Sequence, residues 1–510
     1  MLSRNRTKYF IFFIVSFGLL NWQCLKSKRA GIPAPVVNVV AKANLNKPEL
    51  MNAIGKYLTP ADSLKLKAMY WLIANMYGNY TVYYSIQDSM GRYYSFPPEN
   101  FSSYLELKHR WDSTEQQVGN LIYHADSFAL DYQQLKADFL IKNMDEAWRA
   151  HQFFPWSKSY DFQTFCRWIL SYRCANEVVK PFREHFLKEY IDSVRMLKST
   201  NPLDVALLLN RLVNRRLGYK DTYNKEVNVQ SINQLEHAGS GNFYDINVYK
   251  VKVLRSFGIA AALDYTPFLA DSNFGYAWTT VILPDHSELS LEFSRKVPHL
   301  LKPGRLAKVY RRTFERDTTS LYAIKSVKKT TPPFLGHYYY RDISNQLNNK
   351  NLTLDYYPGI SYAYLAVFND GEWHPIDWSR PNPVSGTEFH HLGTDVVYLP
   401  VSLKSSNLMR LGSPFIFDEQ GRSHRLIADF SSDMQAQIIL TDPYHKMSGA
   451  KAYTLYVWTG NWKPLYNFRG NPGGVELALP ANGLFLLSDD NIDFNERIFV
   501  VDKNGRQQFY

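Results

Sequence analysis

The sequence predicts a multidomain α+β protein: an N-terminal helical region, an α+β core and two C-terminal β-sandwich-like modules. Three observations predict it. Apolar residues recur at helical spacing through much of the first 217 positions, the text after Thr330 breaks into short aromatic runs between turn residues, and those runs repeat in order. With 510 residues, 45% hydrophobic and 15% aromatic, the chain can bury several cores and is long enough for three or more domains.

The chain opens with Arg4, Arg6 and Lys8 ahead of an apolar run, Tyr9 to Leu20, the layout of a secretory signal. A spanning helix needs about twenty apolar residues. Residues 1–24 are therefore expected to be a signal peptide or a lipoprotein signal or anchor, and the protein to be exported, either periplasmic or anchored at the outer membrane or cell surface. Cys24 is the candidate lipidation site. Asn21, Trp22 and Gln23 lack the small residue expected before a processing point, so cleavage elsewhere and an uncleaved anchor stand as alternatives. Contact with a membrane is expected only through this segment.

Helical periodicity starts after Pro60, with Asp62 and Ser63 as caps and Leu64, Ala68, Leu72 and Met76 on one stripe. The helical region is expected over residues 50–200. Within it, the stretch from Tyr80 to Trp111 holds Pro97-Pro98 and six tyrosines up to Tyr104, and reads as an aromatic loop packed on the helices, with a sugar-stacking surface as the alternative. Periodicity resumes from Leu135 to about Leu217, with buried stripes at Phe162, Phe165, Cys166, Ile169 and Leu170 and at Phe182, Phe186 and Tyr190. Cys166 and Cys174, eight residues apart in this helical text, would sit about two turns, roughly 12 Å, from each other. They read as core residues. No disulfide, metal site or cofactor is expected.

The β modules are expected over residues 336–440 and 441–510. GEWHPIDW at Gly371 corresponds to GNWKPLYNF at Gly460, VVYLP at Val396 to GLFLL at Gly483, and PFIFDEQGR at Pro414 to RIFVVDKNGR at Arg497. Tyr362 to Phe368 reads as a strand closed by an Asn369-Asp370-Gly371 turn. Trp373 and Trp462 share one place in the two repeats and read as core plugs rather than sugar platforms. The net charge of +11 has no long basic run behind it, since Arg311-Arg312 and Lys325 to Lys329 are short. A solvated face is expected there and no nucleic-acid partner, with at most weak attraction to anionic surfaces or glycans.

Between helices and modules lies Gly241 to Phe293, with a Gly241-Asn242-Phe243-Tyr244-Asp245 turn, Leu254-Arg255-Ser256-Phe257-Gly258-Ile259, Tyr276-Ala277-Trp278, and Glu292 sixteen residues after Tyr276. This order resembles the transglutaminase-like cysteine-peptidase superfamily, which implies a core over residues 201–330. In that family a Gly-x-Cys-x-Asp turn opens a helix, and a His-x-Trp strand and an acidic residue follow. The resemblance puts Phe243 at the cysteine position, Tyr276 at the histidine position and Glu292 at the orienting acid. A thiolate at a helix N-terminus beside an imidazolium attacks an acyl carbon; a phenyl ring cannot. The whole chain is similar to large exported transglutaminase-like proteins of the Bacteroidetes.

The expectation is a catalytically inactive protein that binds a peptide, peptidoglycan or glycan ligand at the cell envelope, in a cleft lined by Tyr244, Asp245, Asp264, Tyr276, Trp278 and Asp271. Asp245 also reads as a helix cap. Two alternatives stand beside it: a hydrolase using His237, Asp245 and Ser240, and a structural or assembly protein working through its β modules.

Overall fold

The computed structural model describes residues 31–224, 226–291, 305–325, 331–404, 407–438, 447, 449, 451–489, 497–502 and 504–510. The N-terminal segment with Cys24, and Glu292, lie outside the described residues. The chain is a mixed helix-and-strand protein with several antiparallel sheets. Among the described residues no helix is long and apolar enough to cross a membrane.

Helices begin earlier than Pro60. Ala34–Lys42 and Lys47–Gly55 each carry a proline in the first turn, where its missing N–H has no helical partner to lose. Val36, Val40, Leu50 and Ile54 pack with Leu72 of Ser63–Ala74 and with Leu140 and Met144 of Ala137–Phe153. The aromatic stretch is not a loop. Its alternating Tyr, Thr and Val residues form a sheet in the order β2-β1-β3, from β1 (Tyr80–Gln87), β2 (Tyr93–Tyr94) and β3 (Ile122–Leu130), with a helix Tyr104–Val118 inserted before β3. Asp88 closes the β1–β2 turn by accepting from the Met90 and Arg92 N–H groups and from Arg92 Nε at 2.7 Å.

The helical text from 135 to 217 is also interrupted. Phe162–Thr164 runs into a π-helical turn, Phe165–Leu170, and the chain is irregular up to Phe182. Cys166 lies in the π turn and Cys174 beyond it, so the two are not on one helix. They belong to separate hydrophobic clusters, and both are free thiols.

After the parallel pair β4 (Gly218–Tyr219) and β5 (Ser240–Gly241), the helix Phe243–Ser256 packs on β6 (Ala261–Thr266) and β7 (Tyr276–Ile282). These two strands sit in a sheet ordered β10-β9-β6-β7-β8, with β8 (Glu288–Leu291), β9 (Tyr310–Arg312) and β10 (Tyr340–Asp342). The helix ends where the Leu-Arg-x-x-Gly-Ile text requires it. Gly258 has φ +67°, and a Cβ there would stand 2.8 Å from Ser157 Cβ, so the turn tolerates only glycine. Arg255 is buried and donates to the carbonyls of Ser171, Arg173 and Ala261, tying the helix end to the irregular segment.

The C-terminal repeat is visible strand by strand. The first set is β11 (Lys350–Leu354), β12 (Ala363–Asn369), β13 (Glu372–Ser379), β14 (Thr387–Leu392), β15 (Val396–Lys404), β16 (Asn407–Arg410), β17 (Phe415–Phe417) and β18 (Ser423–Arg425). The second is β19 (Asp429–Ile438), β20 (Ala452–Trp458), β21 (Trp462–Arg469), β22 (Val475–Ala481), β23 (Phe485–Ser488), β24 (Ile498–Val501) and β25 (Gln507–Phe509). Sheet β13-β12-β15-β17-β18 with pair β11-β14 matches sheet β21-β20-β23-β24-β25 with pair β19-β22, and β16 is an addition to the first set. Each pair shares a core with its sheet: Leu352 and Phe389 with Leu365 and Tyr398, and Leu479 with Leu455 and Phe485. β19 starts at Asp429, ahead of residue 441. The Asp370-Gly371 turn has both φ values positive, +56° and +76°, the geometry that matches strand twist in a two-residue hairpin.

The hairpins of the two sets meet. Trp373 lies 5.7 Å from Trp458, Phe368 lies 5.7 Å from Trp462, and Trp458 and Trp462 are 5.0 Å apart. Buried Arg497 donates to the carbonyls of Ala270, Ser272 and Phe368 and to Asn273 Oδ1, and the Asn369 amide donates to the Leu269 and Ser272 carbonyls. Both modules thus hold the loop between β6 and β7. The Arg311-Arg312 patch is not a solvated face, since Arg311 is buried and Arg312 half-buried; Lys325 is buried too, and the rest of its patch lies outside the described residues.

Candidate functional site

The start of the Phe243–Ser256 helix is fixed by a reciprocal capping box. Asn242 Oδ1 accepts the Asp245 N–H at 2.9 Å, and Asp245 Oδ2 accepts the Asn242 N–H at 3.1 Å. Asp245 also accepts from the Gln230 N–H at 2.9 Å and from Gln230 Nε2 at 3.0 Å. Burial pushes its carboxyl up to about 6, while the Gln230 and Asn242 hydrogen bonds pull the other way. Its role is to join the preceding loop to the helix.

Phe243 is the first residue of that helix. Its ring stacks on Tyr219 at 4.1 Å with an 11° interplanar angle, and lies 4.6 Å from Tyr276. Phe243 and Tyr276 are each 3% exposed and share an apolar cluster with Leu269, Trp278, Leu306, Val309 and Ile343. The helix N-terminus, the positive end of its dipole, therefore opens on aromatic rings. Phe243 itself carries no nucleophilic atom.

Beside these rings is a cleft of about 320 Å³. Tyr244, Asp245 and Tyr276 line it with Phe243, Tyr265 and Phe274, and so do four asparagines, Asn176, Asn224, Asn228 and Asn242, and a second acid, Glu226. Asn228 Nδ2 donates to the Val82 carbonyl of β1 at 2.9 Å, which brings the aromatic sheet to the cleft edge, and its Oδ1 is buried without a partner. Glu226 is pushed up to about 7, first by burial and then by the charges of Asp245 and Glu99.

The remaining expected residues lie elsewhere. Asp264, 2% exposed, accepts from Arg311 Nε at 2.6 Å and Nη2 at 2.8 Å and from Thr280 Oγ1 at 2.6 Å; it is part of a closed ion-pair network and does not reach the cleft. Asp271 stands 3.7 Å from Arg305 in the β6–β7 loop, and Trp278 is buried behind Tyr276 at 6.0 Å between rings. The structure thus brings together Phe243, Tyr244, Asp245 and Tyr276 at the cleft, packs Trp278 behind Tyr276 and out of the cleft lining, and sets Asp264 and Asp271 apart from them. Sequence reasoning missed Glu226 and the asparagines. Their signal is a polar stretch, Asn224 to Gln230, placed just before the core turn and carrying no family motif.

His237 is exposed at the end of the short helix Ile232–Ala238, and Ser240 Oγ donates to the Ala238 carbonyl at 3.3 Å. Both Asp245 oxygens are occupied as described. Among the described residues no hydrogen bond links the three. The Cys166 thiol is pushed up to about 12 by burial, and burial raises Cys174 as well, so neither forms a thiolate near neutrality. Among the described residues no group of three or more His, Cys, Asp or Glu side chains is placed to hold a metal ion. Compared with known proteins, the chain matches no family model, and no curated protein matches it.

Proposed function

We propose that this is an exported, transglutaminase-like protein without acyl-transfer activity, whose cleft binds a peptide or glycan at the cell envelope. One observation carries the reading. The position where the family places its thiol and imidazole is filled by the packed rings of Phe243 and Tyr276, yet an open polar cleft persists next to them. Acyl transfer needs a nucleophile with a lowered pKa and a base within hydrogen-bond reach, and a phenyl–phenol pair supplies neither. The cleft suits recognition instead. Its volume is in the range of small-ligand sites, and each asparagine offers both a donor and an acceptor for peptide groups or sugar hydroxyls. Tyr244, Tyr265 and Phe274 add flat apolar faces.

In this reading the chain has a helical N-terminal region, the core, and two β modules of which the second starts at β19, with residues 1–24 as the export signal. The modules serve as scaffold, because Trp373, Trp458 and Trp462 pack against one another and Arg497 grips the β6–β7 loop. Isothermal titration of the mature protein with peptidoglycan fragments, peptides and neutral glycans tests the reading. Binding that weakens in Asn228→Ala is the expected result; no heat with any of them overturns it. Amide and ester substrates should show no turnover, and turnover lost in Ser240→Ala would sink the proposal in favour of a hydrolase.

A further inference from the structure

The side of the core sheet that faces the helix holds a guanidinium with no counter-ion among the described residues. Arg312, on β9, shares that face with Tyr265 of β6 and approaches Tyr244 of the helix, and both tyrosines line the cleft. Among the described residues no carboxylate forms an ion pair with it. Glu177, whose charge acts on it, is already held by Lys252 Nζ at 3.0 Å and by the N–H groups of Cys174 and Ala175 at 2.9 and 2.7 Å. Arg312 Nη1 donates to His337 Nε2 at 2.8 Å, the guanidinium also hydrogen-bonds the Tyr265 side chain, and among the described residues Arg312 Nε is buried without a partner.

His337 cannot compensate. Its Nδ1 faces the Tyr339 N–H at 3.1 Å, so donors point at both ring nitrogens, and a neutral imidazole has one acceptor nitrogen. A cation removed from water is costly unless it is paired. Arg312 nonetheless keeps part of its surface accessible; it stands behind the cleft lining, in contact with the two tyrosines that border it.

Resting on the cleft reading above, we propose that Arg312 is the carboxylate-recognising group at the inner end of the cleft, with the Tyr244 and Tyr265 hydroxyls as its companions. A guanidinium is planar, stays charged, and presents paired N–H groups that match the two oxygens of a carboxylate. The carboxylate can belong to a peptide C-terminus or to an acidic sugar.

Four probes separate the possibilities: tri-alanine with a free C-terminal carboxylate, tri-alanine amide, glucuronic acid and glucose, each titrated into wild type, Arg312→Gln, Arg312→Lys and Tyr265→Phe. Expected is a preference of about tenfold or more for one acid over its neutral counterpart, consistent with a charge-assisted bidentate contact. Arg312→Gln should abolish that preference, Arg312→Lys should reduce it, and Tyr265→Phe should reduce it less. Which acid is preferred identifies the source of the carboxylate. Neutral probes binding as well as the acids, or a preference that survives in Arg312→Gln, overturns the subsite and leaves the cleft reading standing; no binding by any probe overturns both. Should Arg312→Gln fail to fold, an acid preference unchanged in both Arg312→Lys and Tyr265→Phe overturns the subsite.

Discussion

Arg311 and Arg312 are neighbours on one three-residue strand, and their side chains meet opposite fates on the two faces of the core sheet. On the face over Trp168, Arg311 binds Asp264 through two nitrogens and Glu288 through two more contacts, and Gln346 completes the network by donating to Glu288. Every charge there has a partner. On the helix face, Arg312 has a neutral imidazole, phenols and, among the described residues, no carboxylate. Adjacent basic residues therefore carry no common meaning: one fastens β9 to β6 and β8, the other is available. The same contrast divides the acids, since Asp264 is closed off by Arg311 while burial and neighbouring negative charge raise Glu226 in the cleft.

The largest expected effect comes from opening the closed face. Arg311→Met leaves Asp264 buried with only Thr280 as a partner, and removing one member of a buried pair costs about 3–5 kcal/mol. Urea denaturation should show a loss of that order, with part of it recovered when Asp264→Asn is added. A loss under about 1 kcal/mol would mean that the network is no tighter than a surface pair. Next comes Phe243→Ala, which removes a ring stacked on Tyr219 and buried against Tyr276. A cavity of this kind costs about 3 kcal/mol, read by the same denaturation. Near-zero cost would show that the start of the helix is loosely filled, not packed.

These contrasts also mark what the text could reveal. The capping role of Asp245, the glycine at 258 and the repeated hairpins were legible, because each depends on local backbone geometry that a few neighbouring residues impose. The Asp-x-x-Gly-Arg turn recurs at Asp88, Asp418 and Asp502, where each aspartate accepts the N–H four residues on. Read in that light, it would have turned the tyrosine-rich stretch from loop to hairpin. What the text hid was the partner of each charge. Asp264 was expected in the cleft, and only the fold puts Arg311 opposite it across 47 residues. The π turn at Phe165–Leu170 was hidden for a similar reason: its apolar spacing resembles an α-helix, and its end is decided by Arg255 and Arg183 taking the carbonyls around it.

A smaller and pH-dependent effect is expected at Glu226. Its folded-state value of about 7 is above the ordinary 4.5, so between those two values the folded chain keeps a proton that the unfolded chain has released. Stability therefore falls as pH rises from about 4.5 to about 7, then levels off. Glu226→Gln should remove this fall. The variant should match wild type below pH 4.5 and exceed it at pH 8 by about 2 kcal/mol, the roughly 3 kcal/mol of the full shift reduced by solvent at a half-buried group, as thermal unfolding across that range would show. A difference that does not change with pH would place the strain somewhere other than the carboxyl.

The smallest effect belongs to Arg312, and its size is what separates the two faces. If the guanidinium were structural, Arg312→Gln would cost as much as Arg311→Met. Because it has no carboxylate to abandon, the substitution leaves no orphaned negative charge behind, and glutamine still has an N–H₂ to offer His337. Replacing a poorly compensated buried cation is neutral or stabilising, so the expected change in unfolding free energy is within about 1 kcal/mol of zero, of either sign. Urea denaturation of Arg311→Met, Arg312→Gln and the double variant decides it. The double variant should cost no more than Arg311→Met alone; an Arg312→Gln loss matching that of Arg311→Met would assign Arg312 to the scaffold.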